Sequence, residues 1–420
     1  MNIDIYLYVV ASLALSMYFF KLIEYNFFTI RGIALTYFTI FYPVVILLVV
    51  IDSIIFRNSI INPTVIINTL NAYIVFIIVF IVVELLFRIK RIRYRKYSTH
   101  LESQYNGRVI FFVLFFIIAF IIRVKLNLYY HVSINPDYNL SANIYQSIVN
   151  RLHWIGLLPV FLMQYKYFRT GKKMYSFISM FLAILMVSLY IPSGSRTTAF
   201  LFIPIFMIYT FTEMKKNKLL FVIIGAISLS VLVIFSGKLR VTDQDFSDST
   251  VGDDIGVLVH RLSDSLVTGK IMEKVPSEYN YRNFNNMDAL LYTLFPSFIR
   301  STLGVKENSL DGVHYIKDIG LAPWWSSVPV TLIGDFYSRF GWYGVVILSI
   351  ILSIVLKFLD NLISKRSKLF NLIFLTLYSA YVSQMYIVDL QILFVSITRE
   401  FIIAYILAFF ITSFVRKKVV

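Results

Sequence analysis

Long apolar runs, separated by short charged stretches, recur along the whole chain. Runs such as YPVVILLVVIDSIIF, AYIVFIIVFIVVELLF and VVILSIILSIVLKFL reach or approach the roughly 20 apolar residues that a helix needs to cross about 30 Å of hydrocarbon. Backbone polar groups in lipid are paired only within a helix or a closed barrel, and barrel strands would alternate polar and apolar residues. The pattern therefore predicts an all-α, polytopic integral membrane protein.

The spacing of the runs predicts eleven membrane-spanning helices, with the amino terminus outside. They cover residues 4–23, 33–56, 64–88, 109–129, 150–168, 174–192, 197–214, 219–237, 341–360, 369–388 and 391–414. Residues 1–237 would contain helices 1 to 8, and residues 341–420 would contain helices 9 to 11, in a single membrane domain. Residues 238–340 would form one large external loop.

The external loop is predicted to contain amphipathic or re-entrant helices. Leu258, Leu262, Leu266, Ile271 and Val275 recur at a spacing that gives a helix one apolar face. Two further pieces, MDALLYTLFPSFIRSTLG and SSVPVTLIGDFYSRFG, are too short or too polar to cross, so we expect them to lie on the outer surface or to dip into it. Together these pieces could roof a cavity that opens to the outside.

Composition and charge narrow the class of protein further. Of the 420 residues, 58% are hydrophobic and only 15% are charged, which is far from the balance of a soluble domain. The net charge of +16 comes from Lys and Arg clusters at residues 88–96, 166–173, 215–218, 357–368 and 416–418. All of them fall on the cytoplasmic side of the predicted topology, so they are typical of membrane anchors and not of nucleic-acid binding. The absence of cysteine excludes disulfides, thiolate metal sites and a cysteine nucleophile.

Two short motifs and the loop between them resemble a known family. PSGSRTTAF lies between two predicted mid-chain helices, and SSVPVTLIGDFYSRFGWYGVV follows the long loop and leads into a late helix. Their order and topology are similar to those of the bacterial oligosaccharide repeat-unit polymerases, the O-antigen polymerase or Wzy type. The residues that carry the likeness are Ser195, Arg196, Asp335, Tyr337, Phe340, Gly341 and Gly344.

The resemblance implies a membrane glycosyltransferase with a GT-C-like fold, placed in the bacterial cytoplasmic (inner) membrane with its active site facing outside. It would move a growing glycan from a polyprenyl pyrophosphate carrier onto the terminal hydroxyl of a new lipid-linked repeat unit, building O-antigen or capsule. Its partners would be the lipid-linked oligosaccharide donor and acceptor and the membrane lipids. Whether a chain-length regulator also binds stays open, and no nucleic acid is expected. No HExxH, P-loop or GxGxxG motif occurs, so no cofactor or metal is expected.

The chemistry of this reaction selects the candidate catalytic residues. Cleavage of a sugar–pyrophosphate bond builds negative charge on the leaving oxygen, so a site must aim cationic groups there. Arg196, at the outer start of a predicted helix, and Arg399, inside the last apolar run, are the predicted cations. The alternatives are that Arg196 only extends to the polar interface and that Arg399 pairs with Glu400. His314 and Asp335 are the candidates for a general base.

The candidate substrate-binding residues lie in or beside the external segments. They are Ser195, Arg261, Arg300, Tyr337 and Arg339. Arg261 and Arg300 could equally be solvated or phospholipid-facing charges, and Tyr337 could mark the membrane interface instead of stacking on a sugar. Because Arg339 follows Asp335 by four residues, one helical turn, the simplest expectation for it is a local ion pair.

Three rival functions stay open at the level of sequence. The first is a ligase-like transferase that moves finished glycan to a different acceptor. The second is a transporter or flippase for polysaccharide or lipid-linked oligosaccharide, since helices with intramembrane charge also describe those proteins. The third is a nonenzymatic subunit of a polysaccharide export assembly. The long external loop and the lack of an internal repeat favour a transferase over a transporter.

Overall fold

The computed structural model describes residues 3–55, 62–87, 140–190, 196–214, 263–285, 311–321 and 330–415, together with residues 113, 114, 117, 118 and 121. Over these ranges the ordered elements are helices, without a strand. The α-helices in chain order are α1 (Ile3–Leu22), α2 (Ile30–Thr39), α3 (Val45–Ile55), α4 (Pro63–Leu86), α5 (Leu140–Thr170), α6 (Lys173–Tyr190), α7 (Arg196–Glu213), α8 (Leu266–Lys274), α9 (Asp311–Asp318), α10 (Leu332–Ser364), α11 (Lys368–Ser383), α12 (Leu390–Val395) and α13 (Phe401–Val415).

Short irregular helices join several of these elements. A π-helical segment, Ile40–Val44, connects α2 to α3, and a second one, Ser396–Glu400, connects α12 to α13. The first π-helical segment contains Pro43. Proline lacks a backbone N–H, and in a regular α-helix its ring would clash with the carbonyl four residues earlier. Pro43 therefore accounts for the local widening of the helix. Turns of 3-10 helix occupy Ser263–Ser265 and Met385–Ile387.

Helices long and apolar enough to cross a membrane are present in the described ranges. They are Asp4–Leu22, Ile30–Ile51, Pro63–Leu86, Leu332–Ser364 and Leu390–Phe414. On α10, Ile347, Ile351 and Ile354 are exposed while Leu348 and Leu352 are buried. A long helix that presents large apolar side chains outward along one stripe suits a lipid environment, because water would penalise that surface.

The prediction of an all-helical membrane protein agrees with these helices, and several predicted boundaries differ. The predicted span 219–237 and most of 109–129 lie outside the described residues, so the number of eleven spans stays a prediction. The helix predicted at 341–360 begins earlier, at Leu332, and continues to Ser364 across a non-helical residue, Gly341. Residues 332–339, expected on or in the outer surface, are helical and buried.

The chain divides into two compact units. Unit 1 comprises residues 1–92, 248–361 and 381–402, and unit 2 comprises residues 93–247, 362–380 and 403–420. In unit 2, the Phe161 ring of α5 lies 5.8 Å from Phe206 and 5.9 Å from Tyr209 of α7. The hydroxyl of Ser179 on α6 donates to the Val160 carbonyl at 2.8 Å. These contacts pack α5, α6 and α7 together.

The centre of unit 1 is a column of buried aromatic rings between α2 and α4. Phe76 lies 4.7 Å from Phe38 and 4.7 Å from Phe80, measured between ring centroids. Tyr73 stacks on Tyr42 at 5.4 Å. The Tyr73 hydroxyl is satisfied by Ser16 of α1 at 2.7 Å, so a polar group inside the bundle is paired as burial requires.

The amino end of α4 holds α8 at very close range. The backbone N–H of Gly269 donates to the Thr69 hydroxyl at 3.1 Å. A Cβ atom at Gly269 would lie 2.1 Å from the Val65 carbonyl oxygen, so only glycine permits this approach. Beside it, the Thr268 hydroxyl bonds to Thr331 at 2.5 Å, which ties α8 to the start of α10.

The carboxyl end of α4 belongs to a buried network of four charges. Glu84 contacts the Arg31 guanidinium and the Lys357 ammonium, the latter at 3.1 Å. Asp360 accepts from Arg31 Nε at 2.8 Å and from the backbone N–H of Ile30 at 2.8 Å. Asp360 thereby caps the amino end of α2 from a helix that lies some 330 residues later in the chain.

These two contact regions lie at opposite ends of unit 1. From Val65 to Glu84, α4 rises by about 28 Å at 1.5 Å per residue. That length matches the roughly 30 Å of hydrocarbon that a membrane helix crosses. The end that carries α8 and the end that carries the Arg31 network are therefore far enough apart to lie at opposite faces of a membrane.

Candidate functional site

A buried carboxylate at the α8 end of unit 1 gathers donors from three parts of the chain. Asp335, in the first turn of α10, is fully buried. It accepts from Arg282 Nη2, from Arg339 Nε at 3.5 Å and from the backbone N–H of Leu390 at 3.0 Å. We call Arg282, Asp335 and Arg339 the arginine cluster. The ion pair that the four-residue spacing of Asp335 and Arg339 predicts is present.

The helix start at Leu390 contributes electrostatically as well as by its single hydrogen bond. Asp389 caps α12 by accepting from the Ile392 N–H at 2.9 Å. The amino end of a helix carries a partial positive charge, which favours a carboxylate placed against it. The environment of Asp335 thus combines two guanidinium groups with a helix terminus.

Arg282 is fixed by a second set of contacts on α10. Its Nε and Nη2 atoms donate to the Ser338 hydroxyl at 3.1 and 2.7 Å. Its backbone N–H donates to the Ser338 carbonyl at 3.0 Å. The plane of the guanidinium lies over the Tyr315 ring of α9, with Cζ 4.1 Å from the ring centroid, a favourable cation–π geometry.

Tyr315 adds a neutral phenol beside this cation. Burial raises the pKa of the Tyr315 phenol, and the opposing effect of the Arg282 guanidinium is smaller. The phenol therefore keeps its proton at neutral pH. Within the part of the chain that the structure describes, its buried hydroxyl meets no hydrogen-bond partner.

Arg339 clamps the segment that follows α8 onto α10. Its Nη1 atom donates to the carbonyls of Asn283 at 3.4 Å and Asn285 at 2.9 Å. In return the Asn283 N–H donates to the Arg339 carbonyl at 3.1 Å. The arginine side chain thus satisfies carbonyl groups that no regular helix would pair.

Gly341 makes this docking geometrically possible. It has φ of 60° and ψ of −146°, which breaks the regular course of α10 and which side chains other than glycine rarely adopt. A Cβ atom there would lie 2.9 Å from the Tyr281 hydroxyl. Gly341 therefore permits both the kink in α10 and the close approach of Tyr281.

The arginine cluster is charged and buried. Two guanidinium groups contact the Asp335 carboxylate, and the side chains of Arg282, Asp335 and Arg339 are 8%, 0% and 5% exposed. Removing such charges from water costs several kcal/mol per ion unless partners and hydrogen bonds compensate. Guanidinium groups bind anionic oxygens, and buried charged groups cluster at functional sites.

Aromatic rings surround the kink of α10. Tyr337 is buried and packs edge-on against Trp342 at 5.7 Å and against Tyr281 at 6.4 Å. Trp342 and Tyr343 are 41% and 82% exposed. Exposed Trp and Tyr side chains at the end of an apolar helix are typical of the membrane–water interface. Arg339 of the arginine cluster lies three residues before Trp342 in the chain.

The other predicted site residues lie elsewhere or cannot be placed. Arg196 is the first residue of α7, in unit 2. Arg399 lies in the π-helical segment Ser396–Glu400 and donates from Nε to Glu400 at 3.0 Å. This is the Arg399–Glu400 pair that was the alternative to a catalytic role. His314 lies on α9, directly before Tyr315. Ser195, Arg261 and Arg300 lie outside the described residues.

Arg282 is the member of the cluster that sequence reasoning missed. It stands in the polar stretch SEYNYRNFNN, which is typical of a solvated loop. Neither an apolar run nor a helical spacing connects it to Asp335. Only the flanking aromatic residues, Tyr281 and Phe284, hint that the stretch packs against something.

A metal site finds no support in the described ranges, where no group of three or more His, Asp or Glu side chains lies together. Comparisons with protein-family models, curated proteins and solved structures give no match for this chain. The fold and the cluster by themselves define a class: a helical membrane protein with buried, hydrogen-bonded arginines at one end of a helix bundle.

Proposed function

We propose that this chain is a membrane glycosyltransferase that polymerises polyprenyl-pyrophosphate-linked oligosaccharide repeat units into surface polysaccharide. It would work on the outer face of the bacterial cytoplasmic membrane. The observation that carries the proposal is the arginine cluster, which holds two buried guanidinium groups near the aromatic side chains of Tyr337 and Trp342 in unit 1. A departing lipid diphosphate is an anion at that same depth, so charge and location fit together.

The orientation follows from the positive-inside rule. The Arg88–Lys96 run follows α4 directly, so the Glu84 end of unit 1 is assigned to the cytoplasm. Because the α8 end lies at the opposite membrane face, the arginine cluster is assigned to the outside. A lipid-linked oligosaccharide that has reached the outer leaflet would meet it there.

In the proposed reaction, the terminal hydroxyl of the acceptor attacks the anomeric carbon of the donor glycan. The bond between that carbon and the pyrophosphate oxygen breaks, and the oxygen leaves with the electron pair. The hydroxyl proton passes to a base, for which His314 on α9 is our candidate. Arginine suits the leaving group because its guanidinium is planar, multiply donating and always charged.

Asp335 fits a positioning role better than that of a base. Its oxygens accept from Arg282, Arg339 and Leu390, so they are already occupied by hydrogen-bond donors. We propose that Asp335 holds both guanidinium groups in the orientation that the diphosphate needs. Tyr315, which keeps its proton, supplies a further donor beside Arg282.

The two predicted arginines outside the cluster keep separate roles. Arg196 begins α7, and the amino end of a helix favours an anion. Its contribution to diphosphate binding is proposed from the sequence motif. Arg399 lies about 13 Å along the helix from Leu390 and pairs with Glu400, so we propose an indirect contribution for it.

The test uses purified protein and lipid-linked repeat units as the sole substrate. We expect a ladder of longer glycans without nucleotide sugar and in the presence of EDTA. A requirement for nucleotide sugar, or loss of the ladder on chelation, would contradict the mechanism. Transfer of one finished glycan to a different lipid, without a ladder, would indicate a ligase. Movement of intact lipid-linked units across a vesicle membrane would indicate a flippase.

Matched arginine variants locate the chemistry within the chain. Arg282→Gln and Arg196→Ala should each abolish the ladder while the protein remains inserted in the membrane. Arg366→Ala is the control, because Arg366 is an exposed arginine whose Nε donates to the Tyr405 hydroxyl at 2.7 Å in unit 2. Full activity of the Arg282 variant would show that the arginine cluster is not part of the active site.

A further inference from the structure

A pocket opens at the α8 end of unit 1, on the side of α8 away from α10. Its volume is about 430 Å³, within the size range of small-ligand sites. The amino end of α4, the exposed side of α8 and the turn after α9 form its walls. Its lining includes Asn62, Lys270, Glu273, Lys274 and Gly320.

The polar groups of the pocket are held in place by one another. The Asn62 amide donates to Glu273 Oε1 at 2.8 Å. Lys274 donates to the Ile319 carbonyl at 2.9 Å and pairs with Glu278 at 3.5 Å. Lys270 is exposed on the same face of α8, one helical turn before Lys274. The walls thus present both donors and acceptors.

The mixture of donors and acceptors selects the kind of ligand. The pocket lining carries the ammonium groups of Lys270 and Lys274 together with the carboxylate of Glu273, and a carboxylate repels an anion while it accepts from a hydroxyl. Hydroxyl groups both donate and accept hydrogen bonds. An uncharged, hydroxyl-rich molecule can therefore use ammonium, amide and carboxylate partners at once, which an anion or an apolar group cannot.

The pocket lies close to the arginine cluster along α9. Tyr315 of that helix contacts Arg282, and Gly320 in the turn after it lines the pocket. Gly320 follows Tyr315 by five residues, and α9 ends between them at Asp318. One short element, with a buried Ile316 and Ile319 that anchor it, thus connects a cationic site with a hydroxyl-binding one.

We propose that this pocket binds an uncharged sugar of a lipid-linked repeat unit and places that unit beside the arginine cluster. The inference rests on the proposed function and adds a saccharide subsite to it. The subsite consists of Lys270, Glu273 and the Asn62 amide, with Lys274 holding the α9 turn in place. Its contribution is to binding, so it should act on KM and leave kcat unchanged.

Two variants test the subsite in the ladder assay. Lys270→Ala removes an exposed ammonium, and Glu273→Gln removes a charge without changing shape. Each should raise the KM for the lipid-linked repeat unit by roughly tenfold, the effect of losing a hydrogen bond to a charged group. Lys172→Ala, at an exposed lysine of unit 2, is the control and should leave KM unaltered. An unchanged KM in both pocket variants would overturn the subsite while leaving the polymerase proposal intact.

A crosslinking experiment separates the failure of the subsite from the failure of the function. A photoreactive benzophenone side chain at position 270 is irradiated with the lipid-linked repeat unit, and the same side chain at position 172 serves as the control. A crosslink at 270 alone supports the subsite even where the wild-type protein builds no ladder and the polymerase proposal fails. Equal or absent crosslinking at the two positions overturns the subsite whatever the ladder assay shows.

Discussion

The guanidinium of Arg282 donates directly to the carboxylate of Asp335, although 53 residues separate the two in the chain. The contact joins the segment after α8 to the first turn of α10. Because Asp335 also receives Arg339 and the Leu390 N–H, one carboxylate connects three parts of unit 1. Loss of the Asp335 carboxylate should therefore lower both the stability of the protein and its activity.

Asp335→Asn should lower the free energy of unfolding by about 3 to 5 kcal/mol, since removing one partner of a buried ion pair leaves uncompensated charge. The amide keeps the shape of the carboxylate, so the effect reports charge and not volume. Thermal unfolding in detergent measures it, with Asp318→Asn at an exposed aspartate as the control. Equal melting temperatures for the two variants would show that the arginine cluster does not stabilise the fold.

Local spacing predicted some of these relationships and could not predict others. Asp335 and Arg339 lie four residues apart on one helix, so their pairing follows from helix geometry alone. The contacts of Asp335 with Arg282 and of Asp360 with Arg31 join residues 53 and 329 positions apart. Such contacts depend on how helices pack, and a single sequence carries no periodic signal for that packing.

The membrane helices were the most predictable part of the fold. Apolar runs fix the spans because lipid penalises any unpaired backbone group. The start of α10 was harder to predict, since residues 332–339 are polar enough to suggest an external segment. They are buried because Arg282 and Leu390 satisfy Asp335, a compensation supplied by residues distant in sequence.

Gly269→Ala should destabilise unit 1 by about 1 to 3 kcal/mol, the usual range for overpacking. The added methyl group would lie 2.1 Å from the Val65 carbonyl oxygen and 2.5 Å from the Thr69 hydroxyl. Thermal unfolding measures the change. Lys270→Ala, at the exposed neighbouring position, is the control for the helix propensity of alanine, and a Gly269 variant as stable as that control would contradict the close packing of α8 on α4.

Arg31 and Asp360 should show strong energetic coupling in a double-mutant cycle. Arg31→Ala leaves the buried Asp360 carboxylate without its arginine, and Asp360→Ala leaves the Arg31 guanidinium with Glu84 alone. The double variant removes both charges. We expect the double variant to be less destabilised than the sum of the single variants by about 1 to 3 kcal/mol. Additive effects would mean that Glu84 and Lys357 compensate for either loss, and Arg366→Ala supplies the baseline for an exposed arginine.

The membrane orientation of unit 1 can be tested because the chain contains no cysteine, so any introduced thiol is the only one. Ser277→Cys lies in the exposed segment after α8, and Lys21→Cys is exposed at the end of α1, beside the α2 end that carries Arg31. A membrane-impermeant maleimide added to intact cells should label position 277 and should label position 21 only after permeabilisation. Both variants replace exposed side chains, so each should fold as the parent does. The reverse pattern would place the arginine cluster in the cytoplasm, where a lipid-linked donor in the outer leaflet could not reach it, and the proposed transferase mechanism would then fail.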